Sequence, residues 1–355
     1  MDTSPSTGVM LVNLGTPAAP ETAPVRRYLR QFLSDFRVLT LPAPLRWSLL
    51  NLVILPTRSA RSAAAYKKIW GPAGSPLLVH SRALARAVAE ELGDAYHVEL
   101  AMRYGEPSIQ QGLDALAAAG VGRLLVLPLF PQYAAAVTAS ISAEVFTQLN
   151  RSGDIPPLEI LGAFFDEPDF LESWREISGP SLDAFRADHV LFSFHGLPED
   201  QIRASDPTKR HCLGSETCCE APGQSLRRCY RAQCYATARG LGEALGLDGS
   251  HTSVSFQSRL GRQPWIQPYT DGVLPELATR GVKRLAVFCP SFVADCLETL
   301  EEIGIQLRQR WAEIGGEALW VAPCPNGDPR FAKAVAGWIQ RRAHTDAEGR
   351  AGLRS

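Results

Sequence analysis

The residues with the greatest chemical potential are one histidine and three carboxylates in the second half of the chain. His195 follows the apolar run HVLFSF and precedes a Gly-Leu-Pro tripeptide, so it ends a predicted strand where glycine lets a ligand approach the backbone. A helix that begins near Phe292 would place three acids on one face: Asp295, Glu298 and Glu302. Imidazole and carboxylate can bind a first-row divalent metal or accept protons. The alternatives are a loop histidine that caps backbone groups and the solvated face of an amphipathic helix.

A second candidate site is a cysteine-rich segment that holds five of the eight cysteines: Cys212, Cys218, Cys219, Cys229 and Cys234. Their spacing lacks the paired Cys-x2-4-Cys knuckles of zinc fingers. A disulfide framework is not expected in a chain of this size without an export signal, and the start MDTSPSTG has no basic region of that kind. The spacing therefore leaves a metal site or cluster as the alternative to free thiols.

Composition narrows the class of protein. The 355 residues carry 36 Lys plus Arg against 37 Asp plus Glu, a formal net charge of −1. A generic nucleic-acid binder is therefore not expected, because it needs a basic surplus or stripe. Neither GxGxxG nor a P-loop lysine motif occurs, so nucleotide chemistry lacks its usual signatures. The chain is also longer than a single hydrophobic core usually supports, which predicts two lobes.

The two halves of the chain repeat one unit. The segments VMLVNLGTP, VELAMRYGEP and GVGRLLVLP of the first half match VLFSFHGLP, VSFQSRLGRQP and GVKRLAVFCP of the second, in the same order. Apolar strands (124–129, 285–289) alternate with amphipathic helices (81–92, 114–119), which indicates parallel sheets covered on both faces. The sequence predicts an α/β protein of two similar doubly wound, Rossmann-like lobes, with the active cleft between them.

We expect the lobes to divide near residue 175. Residues 1–175 form the first lobe, with an apolar lip at about 39–56, and residues 176–335 form the second, with a cysteine-rich insertion at about 205–234. Residues 336–355 form the end of a C-terminal helix and a polar tail. The most apolar stretch, 39–55, is interrupted by prolines, Arg46 and Asn51 and is too short to span a bilayer, so a cytoplasmic protein is expected.

Taken together, these segments resemble the ferrochelatase family over about residues 8–335. The similar motifs are VNLGTP, FLSDFRV, GSPL, MRYG, PLFPQY, SFHGLP, FQSRLGRQPWIQPYTD and FVADCLETLEEI. The FQSRLGRQPW form resembles enzymes that use protoporphyrin IX rather than coproporphyrin. The resemblance implies a lyase that inserts Fe²⁺ into protoporphyrin IX with release of two protons, the last step of haem biosynthesis. The alternatives are a cobalt or other tetrapyrrole chelatase and a non-catalytic bilobal haem or porphyrin binder.

The resemblance also implies roles for individual residues. His195 would abstract pyrrole protons or ligate the metal, Glu298 would act with it, and Asp295 and Glu302 would relay protons to solvent. Cys296 stands where the family usually has histidine. Four side chains would hold the ring by apolar and aromatic contact: Leu14, Tyr66, Tyr133 and Trp265. Four more would address the propionates or the opposite face of the metal: Arg58, Ser75, Arg103 and Tyr104.

By the same resemblance, residues 39–55 form an apolar lip that touches the inner face of the plasma membrane and receives substrate from an upstream oxidase of the haem pathway. The expected contact residues are Trp47, Leu49, Leu50, Val53 and Ile54, and the alternative is a buried helix between the lobes.

Some bacterial ferrochelatases carry a [2Fe–2S] cluster on an internal cysteine-rich insertion, and residues 205–234 look similar. Four thiolates are needed and five are present, so the ligand set stays open, with zinc or free thiols as alternatives. Because metal insertion needs no electron, the role of such a cluster would be structural or regulatory.

Overall fold

A computed structural model of the chain describes residues 6–221, 223–261 and 263–351, with side chains as far as residue 343. The last four residues of the predicted polar tail lie outside the described residues. Two separate four-stranded parallel sheets organise the chain. We call the part built on the first sheet lobe 1 and the part built on the second lobe 2.

Lobe 1 contains the strands β1 (Thr7–Gly15), β2 (Tyr96–Tyr104), β3 (Arg123–Pro128) and β4 (Leu158–Ile160), in the order β2-β1-β3-β4. Its helices are α1 (Thr22–Ser34), α2 (Ala43–Ser48), α3 (Leu55–Ile69), α4 (Pro76–Leu92), α5 (Ile109–Ala118) and α6 (Ser140–Ser152). Two short π-helices complete it, Leu49–Ile54 and Ala135–Ala139. The helix predicted over 81–92 lies within α4.

Lobe 2 contains the strands β5 (His189–His195), β6 (Thr252–Gln257), β7 (Arg284–Phe288) and β8 (Ala318–Val321), in the order β6-β5-β7-β8. Its helices are α7 (Pro168–Phe185), α8 (Glu199–Ser205), α9 (Tyr230–Ala244), α10 (Thr270–Thr279), α11 (Arg308–Glu313) and α12 (Pro329–Ala351). A π-helix spans Glu298–Leu307, and 3₁₀ turns span Gly223–Arg227 and Gly249–His251.

The strand order of the two sheets is the same, which confirms the predicted fold class of two similar doubly wound lobes. The central strands β1 and β5 are covered on both faces, since Val9 to Val12 and Leu191 have no exposed surface. Such strands read as continuous apolar runs because helices lie on both sides of the sheet. The carboxyl ends of β5 and β6 lie side by side, with His195 in register with Gln257.

The acidic helix does not begin where the sequence predicts. Residues 292–296 form a loop, and the helix begins as a π-helix at Glu298. Asp295 and Asn326 hold the loop by two reciprocal bonds: the Asp295 N–H donates to Asn326 Oδ1 (2.8 Å), and Asn326 Nδ2 donates to Asp295 Oδ2 (2.7 Å). Asp295 therefore precedes the helix instead of sharing a face with Glu298 and Glu302. A π-helix has i→i+5 bonds, so the predicted α-helical spacing does not apply to this segment.

The apolar lip folds as α2 followed by the π-helix Leu49–Ile54. Of the residues expected to be exposed, Trp47 is 62% exposed and Val53 also faces outward, whereas Leu50 and Ile54 are buried. Leu50 and Ile54 pack with Leu33 and Leu55 because the π-helix turns that side of the segment toward α1 and α3. The exposed set instead includes Leu45 and Leu52. Over the described residues, no helix is both long and apolar enough to cross a bilayer.

Candidate active site

His195 lies at the carboxyl end of β5, and a hydrogen bond of its Nδ1 atom orients the imidazole. Nδ1 is 2.6 Å from the carbonyl oxygen of Gly196, and a carbonyl can only accept, so the ring proton is on Nδ1. Within the described residues nothing hydrogen-bonds Nε2, so this atom is available to a ligand. Position 196 requires glycine because a Cβ there would lie 2.8 Å from the carbonyl oxygen of Gln257.

Two aromatic rings flank the imidazole. The ring centroids of Trp265 and Phe292 lie 6.4 and 6.3 Å from that of His195. Trp265 is itself fixed, because its indole N–H donates to the carbonyl of Leu260 at 3.0 Å. These contacts give the imidazole apolar neighbours and a fixed orientation.

Glu302 lies close to both Glu298 and His195. Burial is the main effect that raises its pKa above the ordinary range, and the charge of Glu298 raises it further, while His195 and two bonds from Ser258 oppose the shift. Ser258 donates from its N–H (2.8 Å) and from its hydroxyl (2.5 Å) to the two oxygens of Glu302. A carboxyl group with a raised pKa beside an imidazole is suited to accept and pass on protons.

The end of β6 positions this acidic helix. The side-chain amide of Gln257 donates to the main-chain carbonyl of Glu298 at 3.4 Å, and Ser258 holds Glu302. Sequence reasoning missed both residues as site residues. The repeat contained a signal for them, because the matched positions of lobe 1 are the apolar Ala101 and Met102.

Asp295 has both carboxylate oxygens occupied. Oδ2 accepts from Asn326 at 2.7 Å and Oδ1 accepts from the Thr299 hydroxyl at 2.9 Å. It is buried at the base of the acidic helix, near the thiols of Cys289 and Cys324, whose pKa values are raised by burial and then by this carboxylate.

Tyr66 brings lobe 1 to the acidic helix. Its ring is buried and packs with Val25, Ala63 and Leu297, the residue before Glu298. Burial raises the pKa of the Tyr66 hydroxyl well above 10, and the nearby Glu298 carboxylate contributes to that shift.

The remaining predicted substrate residues of lobe 1 differ in exposure. Leu14 is half-buried at the end of β1, and Ser75 is buried, with its hydroxyl accepting from Thr16 Oγ1 at 2.8 Å. Arg58 is exposed on α3. Tyr133 is half-buried, and its N–H donates to Gln233 Oε1 of α9 at 2.6 Å, a contact between the lobes.

Arg103 and Tyr104 are bound to an acid that sequence reasoning missed. Asp35 is buried and accepts from Arg103 Nη2 (3.1 Å), the Tyr104 hydroxyl (3.1 Å) and the Ser140 hydroxyl (2.5 Å). Burial opposes ionisation of Asp35, yet these bonds together with Arg103 lower its pKa. Arg103 also pairs with Glu144 at 3.5 Å, so its charge is already neutralised within lobe 1.

The cysteine-rich segment gathers four thiols into a group that we call the thiol cluster: Cys212, Cys218, Cys219 and Cys229. Cys218 Sγ and Cys219 Sγ are 4.0 Å apart, and the Cys229 thiol is close enough to those of Cys219 and Cys212 for them to raise its pKa. Asp206 braces the segment by accepting from the N–H groups of 211 and 212 at 2.8 and 2.9 Å.

One thiol of this cluster is poised to ionise. The bond from Cys229 and the charge of Arg231 lower the pKa of Cys219 to about 6. Arg231 Nη1 is 3.2 Å from Cys219 Sγ, while its buried Nε has no hydrogen-bond partner. Cys234 lies apart on α9, wholly buried, and burial raises its pKa well above 9.

Over the described residues, no three His, Cys, Asp or Glu side chains are arranged around a single metal-ion position. The thiol cluster does match a two-iron cluster in donor type and number, since such a cluster takes four thiolates, two for each iron.

Comparison with solved structures places the fold among the chelatases. SirB from Bacillus subtilis with Fe³⁺ superposes with a TM-score of 0.56 at 12% identity, over 97% of this chain and 98% of that chain. A similarity at that level of identity concerns the fold.

Sequence comparison is more specific. A profile of the ferrochelatase family matches residues 6–343. The ferrochelatase of Azotobacter vinelandii is 50% identical over 92% of this chain and 96% of its own length. That of Coxiella burnetii (strain Dugway 5J108-111) is 46% identical over 93% and 92%. The chain belongs to the ferrochelatase family and is an enzyme of the lyase class.

Proposed function

We propose that this chain inserts Fe²⁺ into protoporphyrin IX, with His195 as the group that meets the pyrrole protons or the entering iron. The observation that carries this assignment is the His195 Nε2 atom, which has no hydrogen-bond partner among the described residues and lies in the same site as Glu298 and Glu302. A porphyrin must lose two protons as the ion enters, so the site needs a proton acceptor and a negative neighbour. Trp265, Phe292 and Tyr66 provide the aromatic surroundings that a flat macrocycle needs.

Glu298 and Glu302 have different parts in this proposal. Glu298, nearer Tyr66 and lobe 1, acts with His195 on the metal and the protons. Glu302 accepts a proton next, since burial raises its pKa and so favours the protonated form more than in an ordinary glutamate. Asp295 orders the start of the acidic helix, because both of its carboxylate oxygens accept hydrogen bonds there. Asp295 could take part in proton transfer only if those bonds broke.

The ring is held, in this proposal, by Leu14, Tyr66, Tyr133 and Trp265, with Arg58 as the exposed cation for a propionate. A guanidinium pairs with a carboxylate bidentately, which favours arginine for this task. Arg103, Tyr104 and Ser75 support the ring site indirectly, because their polar atoms already bind groups of lobe 1.

The assay is insertion of Fe²⁺ or Zn²⁺ into protoporphyrin IX, followed by absorbance. We expect wild type to insert metal and Glu298→Gln to lose roughly a hundredfold in kcat. The matched control is Glu301→Gln on the same helix, whose carboxylate is paired with Lys68 (2.7 Å) and should leave kcat within about twofold. Porphyrin binding without insertion would favour a binding protein, and preference for cobalt and a precorrin-type ring would favour another chelatase.

We also propose that the thiol cluster holds a [2Fe–2S] cluster, with Cys212, Cys218, Cys219 and Cys229 as ligands. The support is four soft donors gathered in one buried segment, one with a pKa of about 6, next to an arginine that can neutralise them. A bound [2Fe–2S] cluster would join the four cysteines and so cross-link the cysteine-rich insertion.

Visible absorbance, iron and acid-labile sulfide measured on anaerobically purified protein test this assignment. We expect a brown protein with about two irons per chain. Cys219→Ser should lose the colour and Cys234→Ser should keep it, because Cys234 lies outside the thiol cluster. A colourless protein with one zinc would contradict the proposal.

We propose finally that the exposed part of the lip touches the inner face of the plasma membrane, where substrate arrives from an upstream oxidase. Leu45, Trp47, Leu52 and Val53 are all more than half exposed. Arg26, Arg27, Arg30, Arg58 and Arg61 are exposed on the adjoining helices α1 and α3, which favours anionic lipid.

Flotation with anionic vesicles tests this contact. The paired substitutions Trp47→Ser and Leu52→Ser should reduce the bound fraction several-fold. Phe146→Ser is the matched control, since Phe146 is equally exposed on α6 but lies outside the lip. Equal flotation of both variants would contradict the proposal.

A further inference from the structure

Tyr230 is the one side chain of the cysteine-rich segment that hydrogen-bonds His195 within the described residues. It is the first residue of α9 and is buried. Its hydroxyl donates to the main-chain carbonyl of His195 at 2.8 Å and lies 2.9 Å from the hydroxyl of Ser291. Ser291 in turn accepts from the His195 N–H at 3.2 Å. Tyr230 and Ser291 thus fix both main-chain polar groups of His195.

The other side of Tyr230 leads directly to the thiol cluster. Cys229 precedes it, and the Cys229 thiol lies near those of Cys212 and Cys219. The main chain at 229 is anchored as well, because its N–H donates to the carbonyl of Ser225 at 2.7 Å. A change in the thiol cluster therefore has to move only one residue of backbone to reach the tyrosine that holds His195.

We infer that Tyr230 is a positioning residue for His195 and that it couples the state of the thiol cluster to the orientation of the catalytic imidazole. The positioning part depends only on contacts within the chain. The coupling part rests on the proposed ligand role of the thiols.

The ring and the hydroxyl of Tyr230 have separate roles: the ring packs, and the hydroxyl orients His195. The ring of Tyr230 would pack equally well as phenylalanine, but its hydroxyl is needed to hold the carbonyl of His195. The Nδ1 bond of His195 goes to the carbonyl of the very next residue, so a rotation of the peptide at 195 turns the imidazole with it. Small misplacements of a reacting group reduce rates by up to about a hundredfold.

The first test is Tyr230→Phe in the metal-insertion assay. We expect kcat to fall roughly tenfold or more while the KM for porphyrin stays within about twofold, because the group that moves acts on the reacting atoms. The matched control is Tyr235→Phe on the same helix, whose hydroxyl lies 3.5 Å from Arg231 Nη2 rather than near His195. Equal kcat for wild type and a folded Tyr230→Phe would overturn the positioning role.

Ser291→Ala provides a second route if Tyr230→Phe does not fold. It leaves the tyrosine in place and removes the acceptor of the His195 N–H. We expect a smaller loss of kcat, again with KM unchanged, and an unchanged kcat would overturn the inference.

The coupling is tested by the side-chain NMR signals of ¹⁵N-labelled histidine, with His195 assigned by its loss in His195→Ala. Cys212→Ser alters the thiol cluster far along the chain from Tyr230 and should shift the His195 signal. The exposed Glu216→Gln in the same segment should not. In a Tyr230→Phe background the shift caused by Cys212→Ser should shrink, as expected for coupled residues.

An equal shift in both backgrounds, or none in wild type, would overturn the coupling. Cluster absorbance is recorded on the same samples, so a wild-type protein that lacks colour would disprove the proposed cluster without deciding the role of Tyr230.

Discussion

At the carboxyl end of the central strand, lobe 1 has Leu14 where lobe 2 has His195, although the two segments align and share the following glycine and proline. The same contrast recurs one strand away, where Met102 of lobe 1 matches Ser258 of lobe 2. In lobe 1 the polar groups that remain are closed in on themselves around Asp35. In lobe 2 the polar groups at the carboxyl ends of the strands face the acidic helix. The two lobes share one fold but differ in chemistry at these positions. Lobe 1 has apolar side chains and charges that are paired with each other, whereas lobe 2 has titratable side chains.

The contrast predicts that substitution at the matched central positions has unequal effects. His195→Ala should reduce kcat by about a thousandfold because it removes the proposed proton acceptor. Leu14→Ala should leave kcat within about threefold and raise the porphyrin KM, since it removes only apolar contact. Steady-state insertion kinetics measure both, and similar kcat losses in the two variants would end the distinction between the lobes.

Arg103 and Arg259 occupy matched positions of the repeat, and their substitution should reduce the free energy of unfolding by different amounts. Arg103→Met leaves the Asp35 carboxylate, which is 5% exposed, with only the more distant Arg37 at 3.9 Å and should reduce the free energy of unfolding by about 3 kcal/mol. Arg259→Met removes an exposed pair with Asp271 and should cost less than about 0.5 kcal/mol. Chemical denaturation measures both.

The ion pair of Asp35 with Arg103 should also make the free energy of unfolding depend on pH. Because the pKa of Asp35 is lowered on folding, its contribution is present above the ordinary pKa of aspartate and is lost as pH falls through the lowered pKa. Asp35→Asn combined with Arg103→Met should recover part of the stability that Arg103→Met loses, and no recovery would show that packing, not charge, is responsible.

Acid should weaken lobe 2 through a residue that lobe 1 lacks. His189 begins β5 where lobe 1 has Gly8; burial, then Arg280 and His251, lower its pKa to about 4. The unfolded chain binds this proton near pH 6.5 and the folded chain does not, so stability falls as pH drops from about 6.5 to about 4, by up to about 3 kcal/mol.

His189→Gln should flatten this decline in a series of urea unfolding curves between pH 4 and 7. The substitution keeps a polar group for Ser253, whose hydroxyl is 2.8 Å from His189 Nε2. An unchanged slope would assign acid sensitivity to other groups.

The smallest expected effect concerns Glu302. Ser258→Ala removes a hydroxyl that lowers the pKa of Glu302, so that pKa should rise further. If ionised Glu302 accepts protons, the acidic limb of the kcat profile should move to higher pH by the same amount. Ser255→Ala, whose hydroxyl instead lies 2.8 Å from that of Thr270, is the control. If the acidic limb of the kcat profile does not move, Glu302 does not take part in proton transfer.

Local pattern predicted the fold well because the repeat is explicit in the sequence. Continuous apolar strands, amphipathic helices and three matched segments led to two parallel sheets of the same order, as observed. The start of the acidic helix was predicted wrongly at Phe292 because the prediction assumed α-helical spacing. The loop instead depends on Asn326, about thirty residues away, which sequence spacing does not reveal.

By itself the sequence determined the duplicated α/β architecture, the end-of-strand position of His195 and the presence of four or more clustered thiols, because these follow from periodicity and local spacing. Only the tertiary structure decided that Ser258 binds Glu302, that Asp35 occupies Arg103, that Cys234 stands apart from the other cysteines and that Tyr230 reaches His195. Those contacts join residues 35 to 68 positions apart, or depend on which side of a helix faces inward. Hydrogen bonds and burial are set by distance in space, which the order of residues along a chain does not fix.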